Sequence, residues 1–216
     1  MKVAAAAMFL GLAGTPALAH RLDEYLQGTL LSIEKDRVQA QMTLTPGVAV
    51  FPLLLAEFDT DGNGFISETE KRAYAERVLR DLRLGIDGVR LMPRLLSVQF
   101  PAVEEMKEGR GEIRIEFGAD LPGGGRERRI ALENHHENRI AAYQVNCLVP
   151  RDRNIRVLAQ HRNYDQSNYE LDYVQSEIAQ PTAWKAWWSG DLGLLSAMAL
   201  FLITRFTVAW RGNHAR

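Results

Sequence analysis

The stretch Arg37-Val38-Gln39-Ala40-Gln41-Met42-Thr43-Leu44 places an apolar side chain at every second position. A strand turns successive side chains to opposite faces, so this spacing predicts a half-buried β-strand and not a helix. The same period recurs in Ile113, Ile115 and Phe117, in Ile130 and Leu132, and in Tyr143, Val145, Cys147 and Val149. It returns in Ile155, Val157 and Ala159, and once more in Tyr169, Leu171 and Tyr173. The links between these runs carry turn chemistry. Asp87-Gly88, between Ile86 and Val89, predicts a tight hairpin. Glu34-Lys35-Asp36-Arg37 reads as a polar turn joining two apolar runs, and Gly123-Gly124-Gly125 as a flexible loop between strands. The expected fold class is mainly β: an antiparallel β-sandwich, with a barrel as the alternative closure.

One segment, residues 47–84, breaks the period-two pattern and is expected to be a helical excursion. At its centre stands Asp59-Thr60-Asp61-Gly62-Asn63-Gly64-Phe65-Ile66-Ser67-Glu68-Thr69-Glu70. Asp59, Asp61, Asn63, Ser67 and Glu70 occupy positions 1, 3, 5, 9 and 12 of a twelve-residue loop, and Gly64 occupies position 6. Calcium takes six to eight oxygens at flexible angles, and this is the ligand order of an EF-hand. Phe65, at position 7, would contribute its backbone carbonyl, Ser67 would act directly or through a water, and Glu70 would close the site with both oxygens. Gly64 permits the left-handed turn that other residues disfavour. Magnesium demands a smaller octahedral shell, so Ca²⁺ is the expected ion. Pro52 suits the first turn of an entering helix. Ser67 and Glu70 have capping-box spacing at the start of an exiting one, which is expected to end near Leu84-Gly85. The sequence holds no second loop of this form. With only three carboxylates, the expected dissociation constant is roughly 10⁻⁵ to 10⁻³ M.

The ends speak to location. Lys2, an apolar run over residues 3–12 and the Ala17-Leu18-Ala19 triplet predict a secretory signal over residues 1–19. The mature chain would then start at His20. A second apolar run over residues 192–204 continues through Arg205 to Trp210, about the length that crosses a bilayer. Trp184, Trp187 and Trp188 precede it as an interfacial belt would, and Arg205 is placed to snorkel. The expected arrangement is an exported domain over residues 20–175, a stalk over 176–190, one transmembrane helix over 191–210 and a cytoplasmic tail over 211–216. That puts the domain in the periplasm, tethered to the inner membrane.

Lys and Arg number 26 against 27 Asp and Glu, for a net charge of −1. The basic residues are scattered, so nucleic acid is not an expected partner. Cys147 is the only cysteine, which rules out an intrachain disulfide; its place in an alternating run predicts a buried structural thiol. No Gly-x-Ser-x-Gly elbow, His-Glu-x-x-His pattern or phosphate loop occurs, so the protein is not expected to be an enzyme.

The opening of the mature domain, Ala19-His20-Arg21-Leu22-Asp23-Glu24-Tyr25-Leu26-Gln27, together with Leu121-Pro122, Val149-Pro150-Arg151-Asp152 and the Asp59 loop, resembles bacterial exported, membrane-tethered EF-hand proteins. More loosely it is similar to the extracytoplasmic N-terminal region of the hydrogenase/urease accessory membrane family. That resemblance implies handling of nickel or another metal; it covers the exported domain only and implies no catalytic residues. Two roles follow as expectations: binding a protein partner in the periplasm or membrane, or accessory metal handling. An alternative is a copper site built on the mature terminus. The amine and imidazole of His20 can chelate copper together, with a second imidazole from His135, His136 or His161. Against it, His135 and His136 lie in the polar stretch of residues 133–138, which reads as a solvated hairpin tip.

Overall fold

A computed structural model of the chain describes residues 23–176. The expected signal, His20, all but the first residue of the stalk, the apolar run and the tail lie outside these residues. Among the described residues no helix is long and apolar enough to cross a membrane.

The fold is mainly β, in two five-stranded sheets. The chain begins with β1 (Tyr25–Ile33) and β2 (Arg37–Pro46), joined by the polar turn at Glu34. Then come helices α1 (Phe51–Phe58) and α2 (Glu68–Asp81), the hairpin β3 (Leu82–Ile86) and β4 (Val89–Leu91), and β5 (Arg94–Gln99). A short helix α3 (Val103–Lys107) leads to β6 (Ile113–Asp120), β7 (Glu127–Asn134), β8 (Ala141–Cys147), β9 (Ile155–Arg162) and β10 (Asn168–Gln175). One sheet runs β5-β6-β2-β1-β8 and the other β4-β3-β7-β10-β9. The two helices therefore sit on the connection that carries the chain from the first sheet into the second.

The alternation read from sequence is the burial pattern of the strands. Val38, Ala40, Met42 and Leu44 of β2 are all buried, with more exposed residues between them. The buried faces of both sheets supply one apolar core, with Ile33, Met42 and Phe117 from the first and Ile86, Ile130 and Leu171 from the second. Eight residues are too few for a helix that stands alone in water, so α1 is held by packing. It buries Phe51, Leu54 and Phe58.

Nearly all pairings are antiparallel, but β1 runs parallel to β8. An outer strand offers unpaired backbone groups, and at β8 the opposite sheet covers part of that edge. Arg162 of β9 donates from Nε to the Val145 carbonyl at 2.8 Å and from Nη2 to Asn146 Oδ1 at 2.7 Å.

Three expectations about where elements end and how Cys147 is buried need correction. The helix after the loop ends at Asp81, not near Leu84-Gly85. Leu82, Leu84 and Ile86 are buried in β3, which pairs with β7, so apolar spacing that also suited a helix end was recruited into a sheet. Val149 does not continue the β8 row; it is 89% exposed. The ladder closes with Leu148 N–H donating to the Leu31 carbonyl, and Pro150 has no N–H to extend it. Cys147 is half-buried, not fully buried. Burial still pushes its thiol up to about 11, which removes it as a nucleophile near neutral pH.

Candidate metal centre

The twelve-residue stretch forms the turn between α1 and α2. Asp59 caps the C-terminus of α1, its N–H donating to the Leu55 carbonyl at 2.8 Å. Gly62 and Gly64 both have positive φ, 69° and 81°, the region a side chain disfavours. This lets the chain fold back and aim its amides inward. Asn63 N–H donates to Asp59 Oδ1 at 3.0 Å and Gly64 N–H to Asp59 Oδ2 at 2.7 Å. Asp61 accepts from the Asn63 side-chain amide at 2.7 Å, and Asn63 Oδ1 accepts from Phe65 N–H at 2.8 Å. Phe65 points its ring outward, 68% exposed, while Ile66 is buried in the core.

Glu70 closes the loop from the far side. Ser67 is the N-cap of α2, and both halves of the capping box are made. Glu70 Oε2 accepts from Ser67 N–H at 2.9 Å and from Ser67 Oγ at 2.8 Å. Its Oε1 accepts from Thr60 N–H at 2.7 Å and from Thr60 Oγ1 at 2.8 Å. The final glutamate thus swings back over the start of the loop. Ligand oxygens of Asp59, Asp61 and Glu70 lie within 4.8 Å of one another. Calcium–oxygen distances of 2.3–2.6 Å allow ligands on opposite sides of one ion to stand about 5 Å apart, so the three carboxylates fit a single ion of that size.

The donors around Glu70, led by the Ser67 backbone N–H, hold its carboxyl down at about 2, against an ordinary 4.5. A carboxyl that is more acidic in the folded chain stabilises it above the unfolded value. That contribution fades as pH falls from about 4.5 through about 2. In the metal-free protein, the Ser67 and Thr60 amide resonances are therefore expected to stay folded-like at pH 4 and to shift only on approach to pH 2. A midpoint near 4.5 would show that Glu70 does not hold these bonds in solution.

The helices flanking the loop are locked by aromatic packing. Phe58, directly before Asp59, meets Tyr74 edge-on at 4.6 Å, and Phe100 completes the cluster. Arg77 of α2 pairs with Glu57 of α1 at 2.8 Å.

Tyr74 also leads into a buried polar network that sequence reading missed. His136 is fully buried, which corrects the solvated-tip expectation for that residue. Its Nε2 lies 2.8 Å from Tyr74 Oη and its Nδ1 lies 2.8 Å from Asp81 Oδ2. An imidazole with its proton on Nδ1 satisfies both, donating to Asp81 and accepting from Tyr74. Tyr74 Oη continues to Tyr25 Oη at 2.7 Å. The His136 backbone is held as well: Gln27 donates to its carbonyl at 2.9 Å and Asn134 accepts from its N–H at 3.0 Å. Burial raises the phenols of Tyr25 and Tyr74 well above their usual value, so both stay neutral. One sequence signal was available, since Gln27 falls on the inward parity of β1.

Among the described residues, His135, His136 and His161 form no common cluster, and His20 lies outside those residues. His135 and His161 are about half exposed or more, and each lies near a carboxylate, Glu133 and Asp172 respectively. Both ring nitrogens of His136 are engaged, so a metal there would have to displace Tyr74 or Asp81. Among the described residues, the carboxylates of Asp59, Asp61 and Glu70 form the one cluster of three or more acidic, histidine or cysteine ligands with metal-like spacing. Neither a protein-family model nor a curated protein matches the chain.

Proposed function

We propose that the protein binds one Ca²⁺ in an EF-hand between α1 and α2. In this reading the ion stiffens one surface of a β-sandwich held outside the cytoplasm by a single-pass anchor. The observation that carries the reading is the convergence of the Asp59, Asp61 and Glu70 oxygens on EF-hand spacing, with Gly64 in the left-handed turn. Asn63, Ser67 and the Phe65 carbonyl would complete the shell. The chain's own residues supply the rest: amides at Asn63 and Gly64 orient Asp59, while Thr60 and Ser67 hold Glu70 over the loop with four hydrogen bonds, some of which the ion would replace as both oxygens turn to it.

Binding to the folded state alone adds stability as RT ln(1 + [Ca]/Kd). Because α2 carries Glu70 at its start and Tyr74 and Asp81 further on, order imposed at the loop reaches the core through one helix. The role supported is structural and accessory: presenting a stiffened surface to a protein partner, or supporting metal handling. The deciding measurement is calorimetric titration of the full chain in detergent with Ca²⁺, Mg²⁺, Cu²⁺ and Ni²⁺. One Ca²⁺ per chain with Kd between about 10⁻⁵ and 10⁻³ M is expected, with weaker Mg²⁺ binding. Absence of calcium binding at millimolar concentration, or tighter binding of copper or nickel, sinks the reading.

A further inference from the structure

A groove of about 470 Å³ runs between α2 and the segment joining β4 to β5. Its rim carries four arginines, Arg72 and Arg80 from α2, Arg90 from β4 and Arg94 from β5, against one acidic residue, Glu76. Two of these charges are partly answered, Arg72 by Glu76 at 3.7 Å and Arg94 by Asp120 at 2.8 Å. Arg80 and Arg90 are exposed and have no carboxylate in ion-pair reach among the described residues. The floor is apolar, made by Leu82, Leu91 and Leu95, and Met92 stands at its side 76% exposed. An exposed methionine beside unanswered guanidinium groups gains nothing for folding, whereas both are common at recognition surfaces.

We propose that this groove docks an acidic peptide segment with an apolar anchor residue. Charge complementarity selects the sign of the partner, and the Leu82–Leu91–Leu95 floor asks for an apolar side chain between the acidic ones. Spacing selects a peptide over a single anionic headgroup. Arg72 and Arg80 are eight residues apart on one helix, about 12 Å at 1.5 Å per residue, so the charge is spread along the groove. Carboxylates distributed along a chain match that spread. Arginine keeps a fixed positive charge at any working pH, and that charge is what carboxylates along a peptide answer. The inference does not depend on metal at the Asp59 loop.

The test uses the full chain in neutral-lipid nanodiscs and three fluorescein-labelled peptides of equal length. One alternates Glu with Leu, one Glu with Ser and one Lys with Leu. Anisotropy is expected to show the Glu/Leu peptide binding at least about tenfold tighter than either control, and weakening as salt rises. The double variant Arg80→Glu/Arg90→Glu is expected to lose about tenfold or more, while Arg80→Lys/Arg90→Lys keeps most of the binding. An unchanged melting temperature in both variants separates lost docking from lost folding. Equal binding of the Lys/Leu peptide, or no response to charge reversal, overturns the proposal. So does competition of the Glu/Leu peptide by phosphatidylglycerol vesicles at matched charge, which would make the groove a lipid-surface site.

Discussion

Replacing His136 with alanine is expected to lower the unfolding free energy by about 3–5 kcal/mol, in the range for breaking a buried, fully bonded network and leaving a cavity. The ring is fully buried and joins α2, at Tyr74 and Asp81, to the end of the second sheet. Without it, the Tyr74 hydroxyl keeps only Tyr25, and the space left by the imidazole is too enclosed to collapse freely. In a chain of this size 1 kcal/mol moves the melting temperature by about 2–4 °C, so a fall of roughly 10 °C is expected. His136→Phe leaves no cavity but is larger than imidazole and removes both ring hydrogen bonds, so its loss reports unsatisfied polar groups and overpacking in place of an empty site. Urea denaturation of the three proteins measures this directly. A loss under 1 kcal/mol for His136→Ala would mean that the network is incidental to stability.

Calcium at a hundredfold excess over Kd is expected to add about 2.7 kcal/mol, raising the melting temperature by about 5–10 °C. Asp59→Ala and Glu70→Gln should each abolish that rise. The comparison must be of shifts and not of absolute temperatures, because the mutants differ without metal. Glu70→Gln can keep the capping box but removes the charge that the Ser67 and Thr60 donors hold, so the metal-free loop changes as well. Asp59→Ala removes the acceptor that gathers the Asn63 and Gly64 amides. A melting rise that persists undiminished in both mutants places calcium somewhere other than this loop.

Features confined to short sequence separation were open to reading before any coordinates. The inward rows of β2, β6, β7 and β10 show as alternating side chains because each strand has one face on the core. The Asp87-Gly88 hairpin follows from a two-residue link, Asp87 and Gly88 both taking positive φ. Within the loop, the Ser67–Glu70 capping box is made as its spacing implies. Val149 misled because alternation continues past the last residue that still has a strand to pair with.

The chain's linear order was enough to determine the β-rich class, the position of the helical excursion and the gathering of three carboxylates, since each depends on neighbours within about a dozen residues. Only the tertiary structure decided the parallel pairing of β1 with β8, the end of α2 and the burial of His136. That imidazole sits in a polar-looking stretch, yet its partners Tyr74 and Gln27 lie 62 and 109 residues away. A polar residue is buried when distant groups satisfy its hydrogen bonds, and no local pattern encodes which distant groups will arrive.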